Sequence, residues 1–418
     1  MNFTFLHIAD LHLGSPFLGL ATKDEALAKK LAAASREAFT ELVKQAIELE
    51  VAFVVIAGDI YDREWRDNSI GLFFNKEISR LARAGIRIYT LRGNHDAESE
   101  VTKTILLPPG SVQEFSTRSA ETFLLEDLRV AIHGRGFPNR AVPENYALDY
   151  PSPKPGWLNI GVLHTSCDGH PNHATYAPCT VAELVTRGYD YWALGHVHDF
   201  KILNENPWVV YPGNLQGRTV RECGAKGGVL VEVSDGAITK AERLIVDRVR
   251  WTTVEVDASG FEREADLTAQ LETAIQDALE DCPLLLIRVR VIGTTALHRV
   301  LRAKFPEFVQ DVQAIADHCR DEIWVESVIL ETTESVSLEA ASSEALSEVE
   351  EPTNFLDLSA VVTPLLHAPE TLAAAHELST LLRSKLPGGI DTESILSDSA
   401  MNALLLEARD TLLGRALK

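Results

Sequence analysis

Five clusters of Asp, His and Asn, each directly after a short β-rich run, constrain this 418-residue chain more than any other feature. They are Asp10-Leu11-His12, Gly58-Asp59, Gly93-Asn94-His95-Asp96, His164 and Gly195-His196-Val197-His198. The preceding runs are Phe3 to Ile8, Ala52 to Ala57, Ile86 to Leu91, Leu158 to Leu163 and Tyr191 to Leu194. Between the first three lie stretches with helical spacing, Asp24 to Glu50 and Ser69 to Ala84, the second ending near Gly85. Such alternation is the mark of βαβ units in an α/β fold. Further strands are expected at Thr122–Leu125, Val130–His133, Trp208–Tyr211 and Gly228–Val233. Ligand sites in open α/β sheets lie outside the carboxyl ends of the strands, so the clusters are expected to converge on one pocket.

Their chemistry narrows the reading. Asp10 and His12 are two residues apart, so on an extended strand end both would point to one side, and His196 and His198 have the same relation. With Asp59 between them as a bridging carboxylate, two such pincers suit two cations about 3.5–4 Å apart. Paired cations would activate a water, neutralise a phosphate and stabilise both oxygens of an in-line displacement. Oxygen and nitrogen donors without a thiol suit Mn²⁺, Fe²⁺ or Zn²⁺, and Mn²⁺ tolerates oxygen-rich sites best. A lone Asp-x-His or Gly-Asp means little; the ordered set is what points to a metal site.

Charge and composition bear on partners and compartment. Net charge is −22, from 39 Lys plus Arg against 61 Asp plus Glu, which argues against wrapping nucleic acid by charge alone. Residues 331–418 hold 15 acids and 5 bases, so the acidity concentrates in the tail and a local basic path elsewhere is open. The five cysteines are scattered without a Cys-x-x-Cys pair, which favours a reducing cytoplasm over a disulfide framework. The first residues lack the basic and then apolar regions of a secretion signal, and no apolar run approaches the ~18 residues of a membrane span. A cytoplasmic protein without membrane contact is expected. The sequence divides into residues 1–245, a smaller α/β unit at 246–333 and a Ser-, Ala- and Glu-rich linker at 334–354. A Leu- and Ala-rich helical region follows at 355–418.

With these motifs the sequence resembles the calcineurin-like metallophosphoesterases, and within them the SbcD-type DNA repair exonucleases and their YhaO-like bacterial branch. The narrower resemblance rests on Ala9 to Phe17, on Ala57-Gly58-Asp59-Ile60-Tyr61-Asp62, and on the stretch from His164 to Arg218. That stretch holds Tyr176-Ala177-Pro178-Cys179 and Tyr211-Pro212-Gly213-Asn214-Leu215-Gln216-Gly217-Arg218; Thr219 stands where this branch is expected to carry His. The resemblance implies a metallophosphoesterase β-sandwich flanked by helices, a smaller α/β capping domain that binds DNA, and a helical C-terminal tail. It implies that Asp10, His12, Asp59 and His198 hold one metal and that Asp59, Asn94, His164 and His196 hold the other. His95 would face the phosphate and assist the leaving oxygen, and Asp96 would orient His95 or the metal ligands. The metals would be Mn²⁺, and the partners DNA, an SMC-like coiled-coil ATPase (SbcC-type) docked on the tail, and a second copy of the chain.

Other residues carry weaker signals. Arg63 and Arg92 are placed like the phosphate-binding arginines of protein phosphatases, although a turn-stabilising salt bridge is an equal reading. Arg218 and Arg221 follow the last ligand motif and could line a DNA backbone track, as could Lys201, Lys226, Arg299, Arg302 and Lys304. His7 and His133, inside strands, read as satisfied core histidines. The expected function is a metal-dependent DNA nuclease of repair or recombination, an exonuclease with or without endonuclease activity. The alternatives are a phosphodiesterase or phosphatase on a non-DNA substrate, which the paired His196-x-His198 disfavours for protein phosphatases, and a non-catalytic scaffold of the ATPase complex.

Overall fold

The computed structural model describes residues 1–15, 25–62, 68–98, 110–168, 176–334 and 368–385, with single positions between 365 and 408. Arg63, His170, His173, the linker beyond Glu334 and most of 355–418 lie outside the described residues. The chain divides into two compact units, Met1–Thr252 with Glu280–Leu286, and Thr253–Leu279 with Ile287–Lys418.

In the first unit, one six-stranded sheet joins β1 (Phe3–Ile8), β2 (Phe53–Ile56), β3 (Arg87–Thr90), β4 (Val112–Glu114), β11 (Gly227–Ser234) and β12 (Ala237–Ile245) in the order β12-β11-β1-β2-β3-β4. The other joins β5 (Glu121–Leu125), β6 (Val130–Gly134), β7 (Leu158–His164), β8 (Tyr191–Gly195), β9 (Phe200–Glu205) and β10 (Trp208–Pro212) in the order β5-β6-β7-β8-β10-β9. Strands β1 to β4 pair in parallel, as do β6, β7, β8 and β10, and antiparallel strands close the edges. Parallel strands are buried on both faces, which is why all four residues of Phe53–Ile56 are buried and apolar. The two sheets share one core: Phe5 stacks on Phe53 at 4.8 Å and meets Tyr191 of the facing sheet edge-on at 5.4 Å.

Helices α1 (Glu25–Glu48) and α2 (Asn68–Arg83) cover the outer face of the first sheet. Helix α1 buries Leu27, Leu31, Ala38, Leu42 and Ala46 along one stripe. Helix α2 stops in a Schellman turn: Gly85, at φ +79°, donates its N–H to Ala82 O, and Ile86 donates to Leu81 O, both at 3.0 Å. The loop between α2 and β3 is thereby short, and β3 delivers Gly93 to Asp96 to the same sheet end as Asp10 and Asp59.

A three-stranded sheet, β13 (Val249–Asp257), β14 (Leu284–Thr295) and β15 (Ile323–Glu334), has most of its residues in the second unit, which also holds helices Glu264–Asp277, His298–Ala303 and Phe305–Cys319. Its open face carries ion pairs, Arg288 with Glu326 and Arg290 with Glu255 and Glu331. The bases suggested for a DNA track are engaged as well: Arg299 pairs with Glu334, Arg302 donates to Leu330 O, and Lys304 pairs with Glu264. A helix spans Pro369–Lys385 in the tail, and no helix among the described residues is long and apolar enough to cross a membrane.

Candidate metal centre

The metal-ligand candidates lie at or just beyond carboxyl ends of parallel strands of the first unit, but Asp10, His12 and His196 do not have the extended backbone the two-residue spacing suggests. Strand β1 ends at Ile8, and beyond it Asp10 and His12 lie at φ +52° and +42°; Asp59 and His196 are at +54° and +100°. Such left-handed geometry in non-glycine residues is strained and persists only where neighbours enforce it. Here they do. Asp10 N–H donates to Gly58 O at 3.0 Å, His12 N–H to Asp59 O at 3.1 Å and Leu13 N–H to Ile60 O at 2.9 Å, so the two loops are laced together. His196 N–H donates to both Asp10 oxygens, at 3.2 and 2.9 Å.

The side chains then converge. Ligand atoms of Asp10, His12 and His198 form one group, those of Asp10, Asp59 and His164 a second, and those of His12, Asp62 and His95 a third, each within 4.8 Å. Asp10 is common to the first two, and Asp59, the expected bridge, lies in the second. His164 donates from Nδ1 to Ala57 O at 2.9 Å, which leaves Nε2 facing Asn94 Oδ1 at 2.9 Å and Asp59 Oδ2 at 3.4 Å. That backbone bond fixes which nitrogen is offered to the pocket. Across the pocket, His12 Nε2 lies 3.2 Å from His198 Nε2. The ring of His196 packs 5.2 Å from that of His164, with Tyr176 against its other side at 5.2 Å.

Asp10 and Asp59 are each only 1% exposed, and among the described residues neither has a Lys or Arg partner. A buried carboxylate needs a cationic partner, which protonated imidazoles supply here in part and a bound metal cation would supply in full. Around them donor atoms crowd together: His12 Nε2 and His198 Nε2 stand 3.2 Å apart, and His164 Nε2 faces Asn94 Oδ1 and Asp59 Oδ2. His12 Nδ1 is also buried without a hydrogen-bond partner. This mixed oxygen and nitrogen set fits a pair of divalent cations.

The electrostatics agree. Burial opposes charge on Asp59, yet His164, with His95 and His12, holds its carboxyl well below the ordinary value. Burial raises Asp10 despite His198 and His164. His164 is buried, which alone would lower its pKa, but Asp59 and Asp10 lift it to about 9. The pocket floor is thus negative enough to hold a proton that a bound metal would displace.

Three carboxylates outside the ligand set hold the others. Asp62 Oδ1 lies 3.1 Å from His95 Nδ1, and Ser15 Oγ donates to its other oxygen at 2.8 Å. Burial lowers the His95 pKa, but Asp62, Asp59 and Asp96 outweigh it and leave it raised. Asp96 is not the residue that holds the His95 ring. Its oxygens accept N–H groups of Ile60 (2.9 Å), Tyr61 (3.1 Å) and Gly93 (3.1 Å), so it braces two ligand-bearing loops together. Burial and nearby Asp59 raise its pKa to about 7. Glu222 Oε1 lies 2.7 Å from His198 Nδ1, a carboxylate–imidazole pair that sequence patterning does not single out. Asp62 was visible only as part of a motif, without a role.

The arginines are largely engaged. Arg92 pairs with Glu114 and Arg218 with Glu222, while Arg221 is exposed. Thr219 Oγ1 accepts the Arg221 N–H at 3.3 Å. His7 is a satisfied core residue, bonded to Tyr191 Oη and Leu194 O, and burial pushes its pKa down to about 3. His133 is held by Thr122 and Asn159. The cysteines are free thiols, with Cys167 and Cys179 buried across an isolated β-bridge.

With the fold and pocket defined, comparison with known proteins gives a consistent family. The calcineurin-like phosphoesterase family model matches residues 3–200, and one described as the middle domain of metallophosphoesterase YhaO matches residues 251–333. The chain belongs to the calcineurin-like metallophosphoesterases of the YhaO family. Metallophosphoesterase YhaO of Bacillus subtilis is 33% identical over 318 residues, covering 75% of this chain and 78% of that one. The DNA double-strand break repair protein Mre11 of Methanopyrus kandleri is 29% identical over 290 residues, covering 62% of this chain and 60% of that one. Among solved structures, a dimetal phosphatase from Danio rerio overlaps 59% of this chain and 98% of its own at 12% identity and a TM-score of 0.34.

Proposed function

We propose that this metallophosphoesterase is a DNA nuclease, chiefly an exonuclease, that uses two Mn²⁺ ions in DNA repair or recombination beside an SMC-like coiled-coil ATPase. The observation that carries the proposal is the pair of adjoining ligand groups, Asp10 with His12 and His198, and Asp10 with Asp59 and His164. Asn94 Oδ1 extends the second group, and His196 flanks it. The similarity to a protein named for double-strand break repair supports DNA as the substrate. Two divalent cations bound there would acidify water and neutralise phosphate charge. Water, giving up a proton to solvent, would add at phosphorus in line with the departing sugar oxygen, and His95, held at Nδ1 by Asp62, would deliver a proton to that oxygen. Asp96 keeps the loops that carry Asp59 and His95 in register. In the same reading Arg63 and Arg221 contact the DNA backbone, the smaller α/β unit caps the substrate, and the 355–418 region docks on the ATPase. The chain works as a cytoplasmic homodimer.

The test is cleavage of linear single- and double-stranded DNA, bis-(p-nitrophenyl) phosphate and a phosphopeptide by the purified chain with Mn²⁺, with and without the ATPase. DNA cleavage that Asp59→Ala and His95→Ala abolish is expected. Turnover of the small diester or phosphopeptide without DNA cleavage would move the substrate to another class. Metal binding without any turnover would leave a scaffold of the ATPase complex.

A further inference from the structure

The segment after the last ligand motif holds two charged residues that bond to each other and to groups beside the metal-ligand candidates. Arg218 and Glu222 have side chains only 17% and 12% exposed. Glu222 Oε2 accepts the Arg218 backbone N–H at 2.7 Å, and Oε1 accepts Arg218 Nη2 at 3.1 Å while lying 2.7 Å from His198 Nδ1. The other end of the guanidinium meets Ser15 and Asp62. Nη1 donates to Ser15 Oγ at 3.3 Å and lies 3.8 Å from Asp62 Oδ2, and Asp62 is the carboxylate that holds His95. The imidazoles of His198 and His95, whose rings pack against His12 at 5.0 and 4.8 Å, are therefore each gripped at Nδ1 by a carboxylate, and one guanidinium spans both carboxylates. Lys226 Nζ adds a bond to His198 O at 2.8 Å, fixing the backbone of the same histidine.

We infer that Arg218 and Glu222 are positioning residues, a bracket that aims Nε2 of His198 at the metal pocket and ties it to the grip on His95. This assigns Arg218 a different task from the phosphate contact its sequence position suggests. A planar guanidinium with divided donors can span two carboxylates, whereas a lysine ammonium is a single point and cannot. A plain i,i+4 surface pair would leave the imidazoles unaffected and contribute a few tenths of a kcal/mol. The burial of both side chains and the short contact to His198 separate the bracket from that case. The inference rests on the metal-dependent reading of the pocket.

The test uses the full chain and variants E222A, E222Q, R218A and R218K, with Mn²⁺ binding by calorimetry and steady-state turnover of bis-(p-nitrophenyl) phosphate. E222A is expected to weaken one of the two Mn²⁺ binding events by about 10- to 100-fold. E222Q, whose amide oxygen still accepts from Nδ1–H, recovers most of that affinity. R218A and R218K are expected to lower kcat by about tenfold or more with KM within about twofold, the split that separates positioning from substrate binding. R218K preserves the charge and carries the test where R218A does not fold. Wild-type Mn²⁺ affinity in E222A overturns the bracket, as does a raised KM at unchanged kcat in both Arg218 variants. A wild-type chain that binds no Mn²⁺ is a separate outcome, because it overturns the metal reading itself.

Discussion

A single methyl group at Gly58 tests how tightly the pocket depends on its backbone. Gly58 sits at φ +93°, a conformation that strains any residue with a Cβ, and its carbonyl accepts the Asp10 N–H at 3.0 Å. A Cβ there would lie 2.7 Å from His164 Nδ1 and 2.9 Å from Gly93 N. The imidazole must then retreat by 0.3 Å to reach the 3.0 Å floor of real Cβ contacts, and by 0.7 Å to reach the 3.4 Å of ordinary contact. Metal sites tolerate ligand displacements of about 0.2 Å, so even the smaller shift misplaces His164 Nε2. Backbone strain of about 1–3 kcal/mol adds to overpacking of similar size. Gly58→Ala is therefore expected to lose about 2–6 kcal/mol of stability in denaturant unfolding and to bind Mn²⁺ at least about tenfold more weakly. Gly134→Ala is the control: its Cβ would meet the Phe115 ring at 2.6 Å, a packing clash alone. It should cost about 1–3 kcal/mol and leave Mn²⁺ affinity intact. Wild-type affinity in Gly58→Ala, or an equal loss of affinity in both variants, would refute the reasoning.

Other consequences follow from the same structure. His7 has a pKa near 6.5 when unfolded but about 3 when folded, so the unfolded chain takes up the proton first and stability falls as pH drops through 6.5. Between pH 8 and pH 5.5 the wild type should lose about 1.4 kcal/mol more than His7→Gln, measured by denaturant unfolding at both pH values; equal losses would contradict this. Arg250, 5% exposed, makes paired 2.8 Å bonds to the buried Asp247 and a 2.7 Å bond to Glu280. Arg250→Ala strands the Asp247 carboxylate and should cost about 3–5 kcal/mol, with a loss below about 1 kcal/mol counting against it. Mn²⁺ at 100 times its Kd should stabilise the wild type by about 2.7 kcal/mol in thermal unfolding, an effect that EDTA removes and that Asp59→Ala lacks.

The parts of this site that residue type reveals are legible in the sequence. An apolar run such as Phe53-Val54-Val55-Ile56 has no polar face, so it reads as a buried parallel strand, and the Gly-Asp after it falls at the pocket. Asp10, His12, His164 and His198 are chemically conspicuous at such strand ends. Glu222 and the grip of Asp62 are not, because an acidic residue acquires that role only from a distance across the fold: 2.7 Å to His198, 3.1 Å to His95. Asp96 illustrates the converse. Its position allows it to orient either His95 or the metal ligands, and the helix that begins at Asn94 turns its carboxylate onto backbone N–H groups of the ligand-bearing loops. The left-handed turns at Asp10, His12 and His196 escape notice because cross-loop hydrogen bonds, not local preference, enforce them. The helix Phe305–Cys319 goes unread because Pro306 looks like a breaker, whereas in the first turn its missing N–H removes nothing. Strand β12 is an edge, half exposed, so its Lys, Glu and Arg residues hide it.

The pocket's occupancy is the most direct arbiter. Anomalous diffraction at the manganese edge, from crystals of the full chain grown with Mn²⁺, should give two peaks about 3.5–4 Å apart. One should be ligated by Asp10, His12 and His198, the other by Asn94, His164 and His196, with Asp59 shared between them. A single peak elsewhere on the surface, or none among these side chains at saturating Mn²⁺, would mean that the buried acids and imidazoles serve the fold and not phosphoester chemistry.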